Sequence, residues 1–336
     1  MHTQNNFDGV RLLAALAVLT SHQFVVARLA EPEVLGTLNP GDVAVLVFFA
    51  ISGYLVASSW SADPELWRFA ARRFLRIWPA YVVVVVGAAL WIGFTDPRPL
   101  ANTAAWMYVY KHLMFQRFEW SFFWKQRDPR LNASIWTIPF ELGCYVALAL
   151  AAATLRKWWP VVVVAVGGPL FAWWAFGLAT INPSISSQAV DWTWFGTFFA
   201  CGAVLSGLPA LRTPKVSAAL ILTGVIAFAA GSQVIGLALA LPSAAILVGS
   251  QYWPVLGRAG RFGDFSYGLY LWGWPVQQVV ATHLGVQAGY WRLLLVSLAG
   301  TTVLAVLSWH LVEKWALAAK PSSRTKWPRA LTLELK

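Results

Sequence analysis

Phe7-Asp8-Gly9-Val10-Arg11-Leu12-Leu13-Ala14-Ala15-Leu16-Ala17-Val18-Leu19-Thr20-Ser21-His22 is the stretch whose reading decides the fold. Extended to residue 28, it gives the roughly 20 mostly apolar residues that cross a bilayer as one helix. His22 lies inside that run. An imidazole is costly to bury there and titrates near neutral pH, which marks it as a candidate functional group. Arg11 stands 11 residues upstream on the same helix. At about 100° per residue the two side chains share one face, roughly 16 Å apart along the axis. A guanidinium and an imidazole on one face read as a polar pathway through the bilayer. The bland alternative has Arg11 reaching to the headgroups and His22 serving a helix–helix contact.

Composition carries the reading to the whole chain. Of 336 residues, 58% are hydrophobic and only 12% charged, with a mean hydropathy of +0.60. Soluble domains carry about 25% charged residues, so a polytopic membrane protein is expected. The 21 Trp residues suit the interfacial belts of a bilayer. The first apolar run has no basic lead and no small-residue cleavage site, so helix 1 is expected to be retained. A net charge of +11 would raise nucleic acid as a partner for a soluble chain. Here short cytoplasmic loops account for it, and part of the excess can attract an anionic cofactor. Cys144 and Cys201 form no CxxC or zinc pattern and read as small apolar packers.

The pattern predicts an all-α membrane bundle of about ten transmembrane helices. Their expected spans are 9–28, 42–60, 78–95, 134–154, 159–178, 191–208, 215–232, 234–250, 265–284 and 290–312. Only Gly231-Ser232-Gln233 separates the seventh from the eighth, which reads as a tight hairpin or one broken element. With the N-terminus inside, 17 of the 25 basic residues fall on the cytoplasmic side and eight outside. That bias predicts both termini in the cytoplasm. Residues 1–313 form the transmembrane domain, and 314–336 a basic cytoplasmic tail on the anionic leaflet. Residues 96–133 read as a basic, aromatic outer loop, with Trp106, Tyr108, Phe115 and Trp120 among its rings. Such a loop either anchors at the headgroups or helps to form a glycan site. Asn132-Ala133-Ser134 matches a glycosylation sequon but abuts a span and carries little weight.

Four groups of residues can carry chemistry. Arg72, Arg73 and Arg76 precede the third span, and at helical spacing they project to neighbouring positions. Three close guanidiniums clamp phosphate through bidentate hydrogen bonds, although a positive-inside anchor explains a basic loop equally well. Glu141 is a carboxylate near the outer end of the fourth span. It can orient a histidine, bind substrate hydroxyls, or pair with Arg28 or Arg130. Ser52-Gly53 puts a small step in helix 2, where neighbouring helices can approach closely. His310 and Glu313 read as a local pair at the end of the last span. No cluster has metal-ligand spacing, and neither a GxGxxG nor a phosphate-loop motif occurs.

Six short motifs in order give the chain a resemblance. Phe7-Asp8-Gly9-Val10-Arg11 with His22, Phe48-Phe49 with Ser52-Gly53-Tyr54, Arg73-Phe74-Leu75-Arg76, Trp136-Thr137 with Glu141, Phe265-Ser266-Tyr267-Gly268-Leu269-Tyr270, and Glu313-Lys314 resemble the signatures of the acyltransferase 3 family. The family comprises integral-membrane O-acyltransferases of bacterial surface glycans. Two departures stand out. Gly273 occupies a position where the family often has His, and Gly41-Asp42-Val43 lacks the usual glycine-rich lead.

The resemblance implies transfer from cytoplasmic acyl-CoA, most often acetyl-CoA, to a hydroxyl of a lipid-linked or cell-surface carbohydrate, in the bacterial cytoplasmic membrane and without a metal. His22 would be the general base or the acyl carrier, with Glu141 as a second catalytic group. Arg72, Arg73 and Arg76 would hold the phosphates of acyl-CoA, and Arg11 would guide the donor arm or stabilise the thioester oxyanion. Asp8 would fix Arg11, while Ser52, Trp136 and Tyr267 would bind or orient substrate. The competing classes are a proton-coupled transporter and a non-catalytic partner in glycan export. No internal repeat or paired broken helices favour the transporter.

Overall fold

The computed structural model describes residues 5–36, 38–95, 98, 101–116, 122, 130–168 and 187–321. The regular structure of those residues is all helical, apart from a single bridge between Leu35 and Leu38. Helix α1 spans Phe7–Val26, α2 Pro40–Ala62, α3 Leu66–Thr95 and α4 Ala101–Leu113. A 3-10 turn over Ile135–Thr137 leads into α5, Ile138–Leu155. The short α6, Trp159–Val162, continues into a π turn at Val163–Gly167. Then come α7 (Ser187–Gly207), α8 (Pro214–Ala229), α9 (Gln233–Ser250) and α10 (Ser266–Leu284). Helix α11 (Tyr290–Ser308) passes through a π turn at Trp309–Glu313 into α12 (Lys314–Ala318).

Among the described residues, six helical stretches are long and apolar enough to cross a membrane: Phe7–Val26, Pro40–Ala62, Leu66–Thr95, Ile135–Gly167, Gln233–Ser250 and Tyr290–Ala318. This is fewer than the ten expected spans, for physical reasons particular to each of the rest. Helix α8 has only 16 residues. Helix α7 opens on Ser187, Gln188 and Asp191, and α10 carries Ser266, Gln277, Gln278 and His283. The expected span 159–178 runs into residues 169–186, which lie outside the described ones.

Two local expectations change. The arginine run is not a loop: Arg72, Arg73 and Arg76 lie in the first turns of α3. Nothing between Leu66 and Trp78 breaks a helix, and Arg is a good helix former. The outer loop 96–133 contains α4, which packs on α3 with Tyr108 buried and Tyr81 donating to His112 O at 2.9 Å. Much of that loop's expected aromatic and basic character falls on 117–121 and 123–129, outside the described residues.

Close approach of small residues builds the bundle. A Cβ on Gly53 of α2 would collide with the Phe199 carbonyl of α7, and one on Gly202 of α7 with the Ala50 carbonyl of α2. The two backbones therefore touch where Ser52-Gly53 permits it. Gly224 and Gly236 do the same for α8 and α9, which form a tight hairpin turned by Gly231 at φ +91°. Helix α1 lies against α2 and α10 and buries Ala15, Val18 and Leu19. Gln277 of α10 donates to Leu19 O at 2.7 Å and to the side chain of Gln23 at 3.0 Å. Both glutamines are fully buried, so these bonds fix the rotation of α1 and with it the direction of its polar face.

Candidate active site

The carboxylate of Asp264 organises one end of the bundle. It sits between Gly263 and Phe265, just before α10. Its Oδ1 accepts from Ser266 N at 3.2 Å and Ser266 Oγ at 2.5 Å, local bonds that hold the side chain at the helix start. Its Oδ2 takes Arg11 Nη1 of α1 and Arg76 Nη2 of α3, each at 2.5 Å. Burial alone would push the pKa of this carboxyl up, but Arg11 and Arg76 outweigh burial and hold it well below the usual carboxylate range. One carboxylate thus ties three helices together.

Arg11, Arg73 and Arg76 line a cavity of ≈ 110 Å³ together with Ser52, Thr137, Glu141, Tyr145, Ser266, Tyr267 and Tyr270. Arg73 differs from its neighbours. Its guanidinium lies over the rings of Phe69 and Tyr145, 5.9 Å from each centroid. Nη2 reaches Ser59 Oγ at 3.4 Å, and the buried Nε has no hydrogen-bond partner. None of the ion pairs among the described residues includes Arg73. A guanidinium with open donor capacity, facing a cavity, is the group that a phosphate binds.

Arg72 is differently employed. It pairs with Asp63 at 2.6 Å, as does Arg68 at the same distance. These hydrogen bonds hold the Asp63 carboxyl well below its usual range. The pairing locks the turn between α2 and α3, and Arg72 does not line the cavity. Glu141 accepts from Ser52 Oγ at 2.8 Å and from Tyr145 OH, while Ser52 and Tyr145 lie 3.1 Å apart. It therefore belongs to the arginine cavity. Tyr267 donates to Ile77 O at 3.0 Å and carries Arg76 over its ring. Asp8 lies against Gly260 and is exposed, and Arg11 pairs with Asp264.

His22 lines a second cavity, of ≈ 190 Å³, at the opposite end of α1. Its ring meets Trp274 edge-on with centroids 5.0 Å apart. Ser21, Glu31, Asn39, Asp42, Arg130, Ser134 and Trp136 share this cavity, and Glu141 does not. The structure brings Arg11, Arg73, Arg76, Ser52, Glu141 and Tyr267 together, and His22 and Trp136 together, in two separate chambers. Val45 and Tyr270 line both. The Tyr270 hydroxyl bonds Thr137 Oγ1 at 2.6 Å and Ser134 O at 2.7 Å. One of those residues faces each cavity.

Three further features depart from sequence reasoning. Asp264 belongs to no motif of the sequence, and its one signal there is a lone acid just before Phe265-Ser266-Tyr267 in a loop otherwise basic through Arg258 and Arg261. Glu313 is buried in the π turn and accepts from Ser308 at 2.8 Å rather than pairing with His310, which is exposed. Asn132 is 6% exposed and donates to Leu271 O, so its sequon is packed inside. Among the described residues, no three His, Cys, Asp or Glu side chains gather to hold a metal.

The fold and these paired cavities define a helical membrane protein with three arginines in one chamber. The acyltransferase 3 family model, described as an acyltransferase domain, matches residues 4–310, and the chain belongs to this family. It is a membrane acyltransferase. The chain is 28% identical to an O-acetyl transferase of Shigella phage Sf6, with 94% of this chain and 96% of the relative covered. It is 27% identical to Nodulation protein 10 of Rhizobium leguminosarum bv. viciae, with 95% of both covered. It is also 26% identical to the peptidoglycan O-acetyltransferase OatA of Listeria monocytogenes, over 92% of this chain and 55% of that longer protein. No solved structure matches.

Proposed function

We propose that this protein moves an acyl group, most simply acetyl, from cytoplasmic acyl-CoA to a carbohydrate hydroxyl on the other side of the membrane. The observation that carries the reading is the pair of cavities on one face of α1, with Arg11 in one and His22 in the other. The arginine chamber takes the donor. Arg73, with open donor capacity, binds a CoA phosphate, and Arg76 and Arg11 add positive charge from their positions on Asp264. Arg72, engaged by Asp63, holds the α2–α3 turn rather than the ligand. Ser52, Glu141 and Tyr145 form a polar wall for the amide groups of the donor arm.

The thioester then lies toward His22, past Val45 and Tyr270. His22 takes the proton of the acceptor hydroxyl while that oxygen attacks the thioester carbonyl. The carbon–sulfur bond breaks and the thiolate leaves with the proton from the imidazolium. In the relay form, the imidazole attacks first and the hydroxyl then attacks the acyl-imidazole. Both forms require His22 and give the same ester and thiol.

Support for an acyl group and a carbohydrate comes from the family and from two relatives named as O-acetyltransferases, one of them acting on peptidoglycan. The cytoplasmic siting of the donor, and of both termini, rests on the bias of basic residues. Purified protein given radiolabelled acetyl-CoA and surface glycan should label the glycan, and His22→Ala should not, although it still inserts and folds. Wild-type labelling by His22→Ala would remove His22 from the reaction. A transporter would leave the glycan unlabelled and move it or protons instead.

A further inference from the structure

The His22 chamber holds polar groups that the transfer step does not use. Glu31 lies in the connection between α1 and α2, outside both helices. Its Oε1 takes Ser21 Oγ, and its Oε2 takes Asn39 Nδ2 at 3.0 Å. Asn39 is itself fixed as the cap of α2: its Oδ1 accepts from Asp42 N at 2.8 Å, and Asp42 answers by accepting from Asn39 N at 3.2 Å. Ser21 Oγ also accepts from Gly41 N at 2.9 Å. The carboxylate is therefore held rigidly at the cavity wall, with lone pairs left over, since an ionised carboxylate has about four acceptor sites.

Ser134 is the independent observation. It is 2% exposed and lines the same cavity, and its Oγ has no hydrogen-bond partner. Its backbone is already satisfied by Asn132 Oδ1 at 2.9 Å and by the Tyr270 hydroxyl at 2.7 Å. A buried hydroxyl left unpaired costs about 1–3 kcal/mol, and a ligand hydroxyl relieves that cost. Trp136, Tyr270 and Trp274 add aromatic surface to the lining, beside Arg130, whose guanidinium lies 5.7 Å over the Trp274 ring. Rings beside a carboxylate, an amide and a hydroxyl match a sugar ring, which is apolar on its faces and hydroxylated around its edge. A cavity of about 150 Å³ takes a benzene ring, so ≈ 190 Å³ takes one six-membered sugar ring, with its exocyclic groups at the polar wall and the cavity mouth.

We propose that this cavity is the acceptor subsite, in which Ser134 Oγ and the Glu31 carboxylate hold a single sugar residue so that one of its hydroxyls meets His22. The proposal rests on the reading of His22 as the transfer centre, yet its test reads binding and not transfer. Tritium-labelled octyl β-glucoside, octyl β-galactoside and octyl N-acetyl-β-glucosaminide serve as probes, with the full chain in lipid nanodiscs. At least one should bind wild type saturably. Ser134→Ala should weaken binding tenfold or more. It removes an atom that bonds nothing else, so the fold survives it. Glu31→Gln should do likewise, and neither change should alter acetyl-CoA binding. Full-affinity binding by Ser134→Ala, or displacement of the probe by octanol as readily as by unlabelled glycoside, would overturn the proposal. Saturable glycoside binding with no acetyl transfer would overturn the transferase reading and leave the subsite standing.

Discussion

At the scale of the residue, Asp264 does more than any other single side chain. It pairs with Arg11 and Arg76 through one oxygen and accepts from the Ser266 backbone N–H and hydroxyl with the other. Removing one member of a buried charge group leaves the others uncompensated, at a cost of about 3–5 kcal/mol. Asp264→Asn should therefore lower the thermal unfolding midpoint in detergent far more than Arg72→Ala does. Because the two arginines depress the Asp264 carboxyl, the clamp is fully formed at and above the pH where an unfolded Asp ionises, and it is lost only as pH falls through the lower folded value. Wild type should show no loss of this contribution between pH 5 and 8, which melts across that range would check.

Arg73 and Arg72 separate binding from scaffolding. Arg73→Ala should raise the Michaelis constant for acetyl-CoA at least tenfold with little change in unfolding midpoint. Arg72→Ala should do the reverse, since it strips Asp63 of one partner. Initial rates against acetyl-CoA concentration, measured beside melting curves, distinguish the two. Equal Michaelis constants in both variants would reduce the arginines to topology anchors.

At the scale of the element, the glycine contacts are the least tolerant. Gly202→Leu in α7 would drive a side chain into the Ala50 carbonyl of α2, and backbone cannot yield as a side chain can. Folded protein recovered from membranes should fall several-fold, while Gly196→Leu, whose added Cβ meets nothing, should be recovered normally. The end of α12 supplies a pH test. Lys320 follows that helix, and burial, then Arg76, Arg73 and Arg72, bring it down to about 7. It is charged below that pH and neutral above. Phosphate favours the charged form, so donor binding should weaken as pH rises through 7. Lys320→Arg, charged throughout, should flatten that part of the profile.

Legibility in the sequence followed the same divide between local pattern and tertiary contact. The shared face of Arg11 and His22 follows from helical periodicity, and the Ser52-Gly53 step announced a close helix crossing. The pairing of Arg11 with Asp264 spans 253 residues in sequence, and no local pattern encodes it. The placement of Glu141 in the arginine chamber depends on how α5 packs against α2, where Ser52 receives it. Asp63 drew Arg72 away from the cavity through a turn that charge counting alone treats as a basic loop.

At the scale of the whole molecule, the two chambers meet at Tyr270 and Val45, and everything proposed for function passes that level. Tyr270→Ala removes both the ring and the bonds to Thr137 and Ser134. It should let water reach the donor, so that acetyl-CoA is hydrolysed without acceptor at a raised rate while coupled transfer falls. Tyr270→Phe keeps the ring and should leave the hydrolysis low.

The central claim is that donor and acceptor enter from opposite ends of α1. Sealed proteoliposomes with uniformly oriented protein test it directly, with radiolabelled acetyl-CoA confined to one side and glycan to the other. The account predicts labelled glycan across the membrane only when acetyl-CoA is on the arginine side, and none with His22→Ala. Labelling that requires donor and glycan on the same side would contradict it.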